Sequence, residues 1–288
     1  MQERRAIEVN VGHLAQLQTY FFDLDGCVYY GDQPAPGARE LLERLRSEGR
    51  NVGFITNNSR QTAEEVAAKL RRFGIRVAPG EIVTAADAVG YYLAERYGKA
   101  KVKVAGSEAL RKSIAACGHA VLSDRSDERA DFVAVSRDVD FTYEKLQWIA
   151  AESARGAMIV AANPDLHHPG VDGIRVPETG ALVAAIEAVC STAAEIIGKP
   201  EPYLFVRGMR LHGSSPEQCI MVGDNAETDI RGARRAGMRS IWLAGDHTPV
   251  GLGQTDLAPD LIVRNMRELY EWYTLAVNGR MRLPMTGE

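Results

Sequence analysis

Short apolar runs that end in polar residues alternate with amphipathic stripes along this chain, and few folds accept that alternation. The runs TYFFDLD, NVGFITN, KVKVAG, DFVAVSRD, AMIVAANPD, EIIGKP, CIMVGDN, RSIWLAG and DLIVRN each read as a strand. They are near-continuous in apolar character, as strands buried on both faces are. Between the first two, Ala38, Leu41, Leu42 and Leu45 fall at i, i+3, i+4 and i+7, one face of a helix that Gly49 can end. Ala63, Val66, Ala67 and Leu70 make the next stripe, stopped near Gly74, and TAAD after Thr84 starts another helix by capping. A helix is also expected over Tyr143–Arg155, with Leu146, Trp148 and Ile149 packing inward, and PYLFVRGMRL and ETDIRGARRAG read as helical late in the chain. Strands separated by helices give an α/β fold: a doubly wound parallel sheet, Rossmann-like, covered on both faces. The middle block repeats the pattern on its own. It is therefore read as a second α/β domain over 85–178, inserted into a core made of 1–84 and 179–288.

Composition excludes several classes. A formal net charge of −4 over 288 residues is not that of a nucleic-acid-binding protein. No apolar run reaches the roughly 18 residues of a membrane span. The opening MQERRAIEVN has no signal-peptide character, and Cys27, Cys117, Cys190 and Cys219 form no CxxC pair. A reduced, cytoplasmic protein is expected. GLGQTD at Gly251–Asp256 imitates a dinucleotide loop but lacks its third glycine and follows no strand, and there is no P-loop.

In open parallel sheets, ligands bind outside the carboxyl ends of the strands. Those ends carry Asp23 and Asp25, then Thr56, Asn57 and Asn58, then Lys199, then Asp224 with Asp229 five residues on. Singly, each has an ordinary explanation: a turn, a helix N-terminal acid, a solvated lysine. Jointly they suit a hard divalent cation and a phosphate. Clustered carboxylates hold Mg²⁺, one carboxylate can attack phosphorus, and a second can move the leaving-group proton. A lysine and hydroxyl or amide donors can stabilise the transferring phosphoryl group.

The segments DLDG, TNNS, GKP and GDNAETDI resemble, in order, the four motifs of haloacid dehalogenase-type phosphatases. Only about 30 residues separate Asp25 from Thr56, whereas roughly 140 separate Thr56 from Lys199, room for a cap of about 100 residues. That layout resembles the branch with a large α/β cap, which includes the NagD-like, p-nitrophenyl, phosphoglycolate and pyridoxal phosphate phosphatases. The resemblance implies Asp23 as nucleophile and Asp25 as general acid/base. It implies Mg²⁺ on the Asp23 carboxylate, the Asp25 carbonyl and Asp224, with Asp229 behind them. It further implies phosphate held by Thr56, Asn57, Asn58 and Lys199. ANPDLHHPGVDGIRVPETG resembles the end of such caps, which makes His168 a substrate contact, with Asn163 and Asp165 nearby. Adjacent His167 and His168 cannot readily share one metal ion. Tyr29 and Tyr30 fit either a site-lining or a packing role. Cys27 stands where the family usually has threonine, replacing a hydroxyl by a weaker thiol donor.

The expected activity is Mg²⁺-dependent hydrolysis of a small phosphorylated metabolite such as a sugar phosphate, phosphoglycolate or a nucleotide monophosphate. Pairing of two copies through the caps would follow the same resemblance. A C–halogen hydrolase needs neither Asp25 nor Asp224, and the cap location does not suit a phosphomutase. The alternative from another class is a non-catalytic phospholigand-binding or receiver-like regulatory protein. In a receiver the lysine comes last, whereas Lys199 precedes Asp224.

Overall fold

The computed structural model describes residues 17–170, 173–245 and 257–278, so GLGQTD and the opening segment lie outside the described residues. The first stretch holds β1 (Thr19–Phe22), β2 (Tyr29–Tyr30), β3 (Gln33–Pro34), α1 (Ala38–Ser47), β4 (Asn51–Thr56), α2 (Ala63–Arg72) and β5 (Ile82–Thr84). Next come α3 (Ala85–Tyr97), β6 (Lys101–Ala105), α4 (Glu108–Ala116), β7 (Ala120–Val121), β8 (Phe132–Val135), α5 (Tyr143–Ala154) and β9 (Met158–Ala161). After them lie β10 (His167–Pro169), β11 (Arg175–Pro177), α6 (Thr179–Cys190), β12 (Glu195–Ile196) and α7 (Tyr203–His212). The last are β13 (Cys219–Gly223), α8 (Arg231–Arg235), β14 (Arg239–Leu243), β15 (Leu261–Val263) and α9 (Met266–Val277). Two compact units form. One takes the described residues up to Phe54, Leu70–Val77 and those from Gly208 on; the other takes Ile55–Lys69 and Ala78–Arg207.

In the first unit the strands pair in the order β15-β14-β13-β1-β4, all parallel. The chain leaves β1 to one side for β4 and later returns to its other side for β13. That reversal is the switch point at which such sheets bind ligands. Every residue of β1 and β13 is buried, which explains their unbroken apolar runs. Ala38, Leu41, Leu42 and Leu45 of α1 are buried as their spacing predicts, and Gly49 beyond its end has φ +74°. Gly53 in β4 has no room for a side chain: a Cβ there would stand 2.6 Å from the Phe21 ring and 2.7 Å from His212.

The second unit repeats the logic, with parallel strands in the order β12-β9-β8-β6-β7. Val133, Val135, Ile149, Ile159, Val183 and Ile186 lie in one apolar cluster, with Leu146 and Trp148 packed against it. Thr84 caps α3 by accepting from the Asp87 N–H at 3.0 Å, as TAAD predicts. Among these apolar side chains lies an ion pair. Lys103 Nζ is 2.9 Å from Glu152 Oε1 and donates to the Ser126 carbonyl at 2.8 Å, with both side chains almost fully buried.

The strand expected at EIIGKP differs from the expectation. It is only Glu195–Ile196, and it pairs with β9 (Glu195↔Val160) instead of joining the first sheet. The crossover through α6 packs on α5, β8 and β9, and a parallel crossover of this kind returns the chain beside the strand it left. A hairpin of β10 and β11, with His168 opposite Val176, precedes that crossover. Among the described residues, no helix is long and apolar enough to cross a membrane.

Candidate active site

β1 and β13 are neighbours in register, Phe22 beside Val222, so their carboxyl ends release Asp23 and Asp224 side by side. The Asp23 N–H still donates to the Val222 carbonyl at 2.8 Å, which extends the ladder by one residue and fixes where the Asp23 side chain starts. Asp229 comes from the wide, π-type turn Ala226–Ile230 that follows β13. Asn225 caps that turn, accepting from the N–H groups of Glu227 and Thr228, and the buried Asp229 carboxylate accepts from the Asn225 N–H at 3.1 Å. The helix expected from ETDIRGARRAG thus begins as this turn and becomes regular only at Arg231.

Oxygen atoms of Asp23, Asp224 and Asp229 all lie within 4.8 Å of one another. Three carboxylates that close repel unless a cation lies among them. The donor set is all oxygen, which suits Mg²⁺. Two further residues keep Asp224 in place. Trp242 on β14 donates its indole N–H to the Asp224 carbonyl at 2.9 Å. Gly26, with φ +84°, presents a bare α-carbon to the carboxylate; a Cβ there would stand 2.3 Å from Asp224 Oδ2. Gly26→Ala therefore strains the turn and pushes on the Asp224 carboxylate. Titration with Mg²⁺ is expected to show affinity reduced by about tenfold or more, in the range seen for residues that orient metal ligands. Unchanged affinity would mean that the loop relaxes around the methyl group.

Asp25 is exposed, unlike Asp23, and Tyr29 donates its hydroxyl to Asp25 Oδ2 at 2.9 Å. The turn places them together: the N–H groups of Cys27, Val28 and Tyr29 all point at the Leu24 carbonyl, and Gly26 donates to Tyr29. Burial, then the Asp25 charge and the hydrogen bond to it, then the Asp23 charge, hold the Tyr29 phenol above its ordinary range. Tyr29 therefore stays a donor and orients Asp25. Cys27 is buried, its Sγ 3.7 Å from the Val222 carbonyl, so the thiol takes up a weak contact where a hydroxyl would sit.

The TNNS residues and Lys199 lie in the second unit. Thr56 is buried and its Oγ1 accepts from the Asn58 N–H at 3.1 Å, which leaves the hydroxyl hydrogen to donate. The Asn58 side chain closes the following turn, accepting from Arg60 and Gln61 N–H and donating to Gln61 Oε1. The Asn57 side chain contacts Asp165 and the main chain of Lys199. Lys199 is buried three residues beyond β12, a strand of the second sheet, and donates to the Ile55 carbonyl at 3.1 Å. His168 stands half-buried on the hairpin with Nδ1 2.7 Å from Glu178 Oε1, too poorly aligned for a hydrogen bond, and Arg137 donates to the same oxygen at 3.0 Å. Asn163 and Asp165 turn toward Asn57. Sequence reading gave no sign of Trp242 or Arg137 and left Tyr29 undecided between lining and packing.

Known proteins resemble this chain in sequence and in fold. Residues 20–120 match a haloacid dehalogenase-like hydrolase family model, and residues 196–269 match a HAD-hydrolase-like one. The acid sugar phosphatase of Staphylococcus aureus is 32% identical over 230 residues, which cover 80% of this chain and 87% of that protein. The crystal structure of a 4-nitrophenylphosphatase from Thermotoga maritima superposes with a TM-score of 0.81 at 32% identity, covering 90% of this chain and 98% of that one. A thermostable NPPase from Geobacillus stearothermophilus gives 0.79 at 30% identity, covering 88% and 98%.

Proposed function

This chain belongs to the haloacid dehalogenase-like hydrolases and is a phosphatase, and from that premise we propose that it hydrolyses a small phosphorylated metabolite, a sugar phosphate foremost, through a phosphoryl group carried on Asp23. The observation that carries the reading is the Asp23–Asp224–Asp229 carboxylate cluster at the switch point of the sheet. The sugar-phosphate class is supported by the name of the Staphylococcus aureus relative.

A Mg²⁺ ion held by Asp23, the Asp25 carbonyl and Asp224, with Asp229 behind them, would neutralise the carboxylates and the substrate's phosphate charge. The Asp23 carboxylate oxygen bonds to phosphorus as the bond to the leaving oxygen breaks, and Asp25 gives that oxygen its proton. Asp25 then takes a proton from water, the water oxygen bonds to phosphorus, and Asp23 is released with inorganic phosphate. The Thr56 hydroxyl and the Lys199 ammonium offset charge on the phosphoryl oxygens. Tyr29 keeps Asp25 aimed in both steps. The segment 85–178 serves as the cap, with His168 meeting the leaving group, because the core motifs address only the phosphoryl group that all phosphomonoesters share. A cytoplasmic setting, where thiols stay reduced, suits the free thiols of Cys27, Cys117, Cys190 and Cys219.

The test is release of phosphate from p-nitrophenyl phosphate with and without Mg²⁺. Hydrolysis is expected to stop in excess EDTA and return when Mg²⁺ is restored. Full activity in EDTA would refute the assignment of the carboxylate cluster.

A further inference from the structure

Asn57 sits in a motif whose residues are expected to hold phosphate, yet its side chain is already engaged on every side. A carboxamide has two N–H donors and one acceptor oxygen. Asn57 Oδ1 accepts from the Lys199 N–H at 2.8 Å, and Nδ2 donates to the Lys199 carbonyl at 3.0 Å. The side chain therefore clamps both main-chain groups of one residue, 142 positions away. The remaining donor faces the Asp165 carboxylate, at 3.2 Å from Oδ1 and 3.1 Å from Oδ2. No side-chain donor is left for a phosphate oxygen.

The surroundings are shaped to this clamp. Asn163, itself buried, donates to the Asn57 carbonyl at 2.6 Å and accepts from the Asp165 N–H at 3.1 Å, so it holds the two ends of the arrangement in place. Gly198 must be glycine for the strand end to approach: a Cβ there would stand 2.4 Å from the Ala162 carbonyl and 2.7 Å from Asn57 Oδ1. Lys199 is 2% exposed, so its long side chain has little freedom, and the position of its main chain decides where its ammonium lies.

We infer that the Asn57 side chain, backed by Asp165, is a positioning group that acts through Lys199, and not a phosphate ligand. The inference rests on the phosphatase reading, in which Lys199 meets the phosphoryl group. Loss of the clamp should lower turnover only as far as Lys199 contributes to it.

A double-mutant cycle on the full chain tests this, with p-nitrophenyl phosphate as substrate and inorganic phosphate as competing ligand. Asn57→Ala is expected to reduce kcat/KM by about ten- to a hundredfold in the wild-type background and by less than about twofold in Lys199→Met. The inhibition constant of inorganic phosphate in Lys199→Met should not change when Asn57 is also removed. Equal losses in both backgrounds, or weaker phosphate inhibition on removing Asn57 from Lys199→Met, would overturn the assignment and make Asn57 a ligand in its own right. Should Asn57→Ala fail to fold, Asp165→Ala takes its place in the same cycle, with the same coupling expected and additive losses again overturning the inference. No hydrolysis by the wild-type chain would overturn the phosphatase reading together with this one, whereas additive losses in an active enzyme overturn this one alone.

Discussion

Asp23→Asn is expected to lower phosphate release from p-nitrophenyl phosphate by about 10⁴-fold or more, with the fold intact. The amide has no anionic oxygen to attack phosphorus, so the covalent route closes. Only the slower contribution of positioning and charge stabilisation remains. The substitution is nearly isosteric, and the Asp23 main chain stays pinned by its N–H bond to the Val222 carbonyl. Stability should therefore hold while turnover collapses. Circular dichroism alongside a single-turnover assay separates the two. A variant that keeps more than a few per cent of wild-type turnover would mean that water attacks phosphorus directly, with Asp23 needed only to hold the cation.

The largest stability effect is expected away from the site, at the buried pair of the second unit. Lys103 is 2% exposed at its side chain and Glu152 4%, and Arg155 also reaches Glu152 Oε1 at 3.1 Å. Burial by itself raises the Glu152 carboxyl. The hydrogen bonds from Lys103 and the Ala130 N–H, with the Lys103 and Arg155 charges, outweigh it and hold the group below its ordinary value. A carboxyl depressed in the folded state contributes its stability above its unfolded pKa and loses it as pH falls through the folded one. The pair therefore supports the fold at neutral pH and fails in acid. Lys103→Met removes the partner and leaves a carboxylate in an apolar cluster, at a cost of about 3–5 kcal/mol. Equilibrium urea unfolding should show that loss, and Lys103→Met combined with Glu152→Leu should recover most of it, since no buried charge is then left unpaired: Arg155 is 44% exposed and keeps its bond to the Asp127 carbonyl. A loss under about 1 kcal/mol in the single variant would mean that water reaches Glu152 and solvates it.

Much of this protein is local in origin, and local features are legible in sequence. The stripe Ala38–Leu41–Leu42–Leu45, the cap at Thr84 and the buried strands beside Asp23 and Asp224 depend on spacings of a few residues or on runs of one character. Those spacings also ordered the acids along the chain, and the structure gathers Asp23, Asp224 and Asp229 into one cluster. The placement of β12 was not legible, because a two-residue strand carries no periodicity and its partner is chosen by the crossover through α6. The clamp of Asn57 on Lys199 joins residues 142 apart, and the indole bond to the Asp224 carbonyl joins residues 18 apart across adjacent strands. Each requires the backbone to arrive at hydrogen-bond distance with the correct orientation, and no pattern within a helix turn or a strand records that arrival. The sequence alone thus determined which chemical groups are present and the strand ends that carry them. Only the tertiary structure decided which groups are taken up by holding one another, because the Asn57 side chain, with one N–H on the Lys199 carbonyl and the other facing Asp165, has no donor left for a ligand.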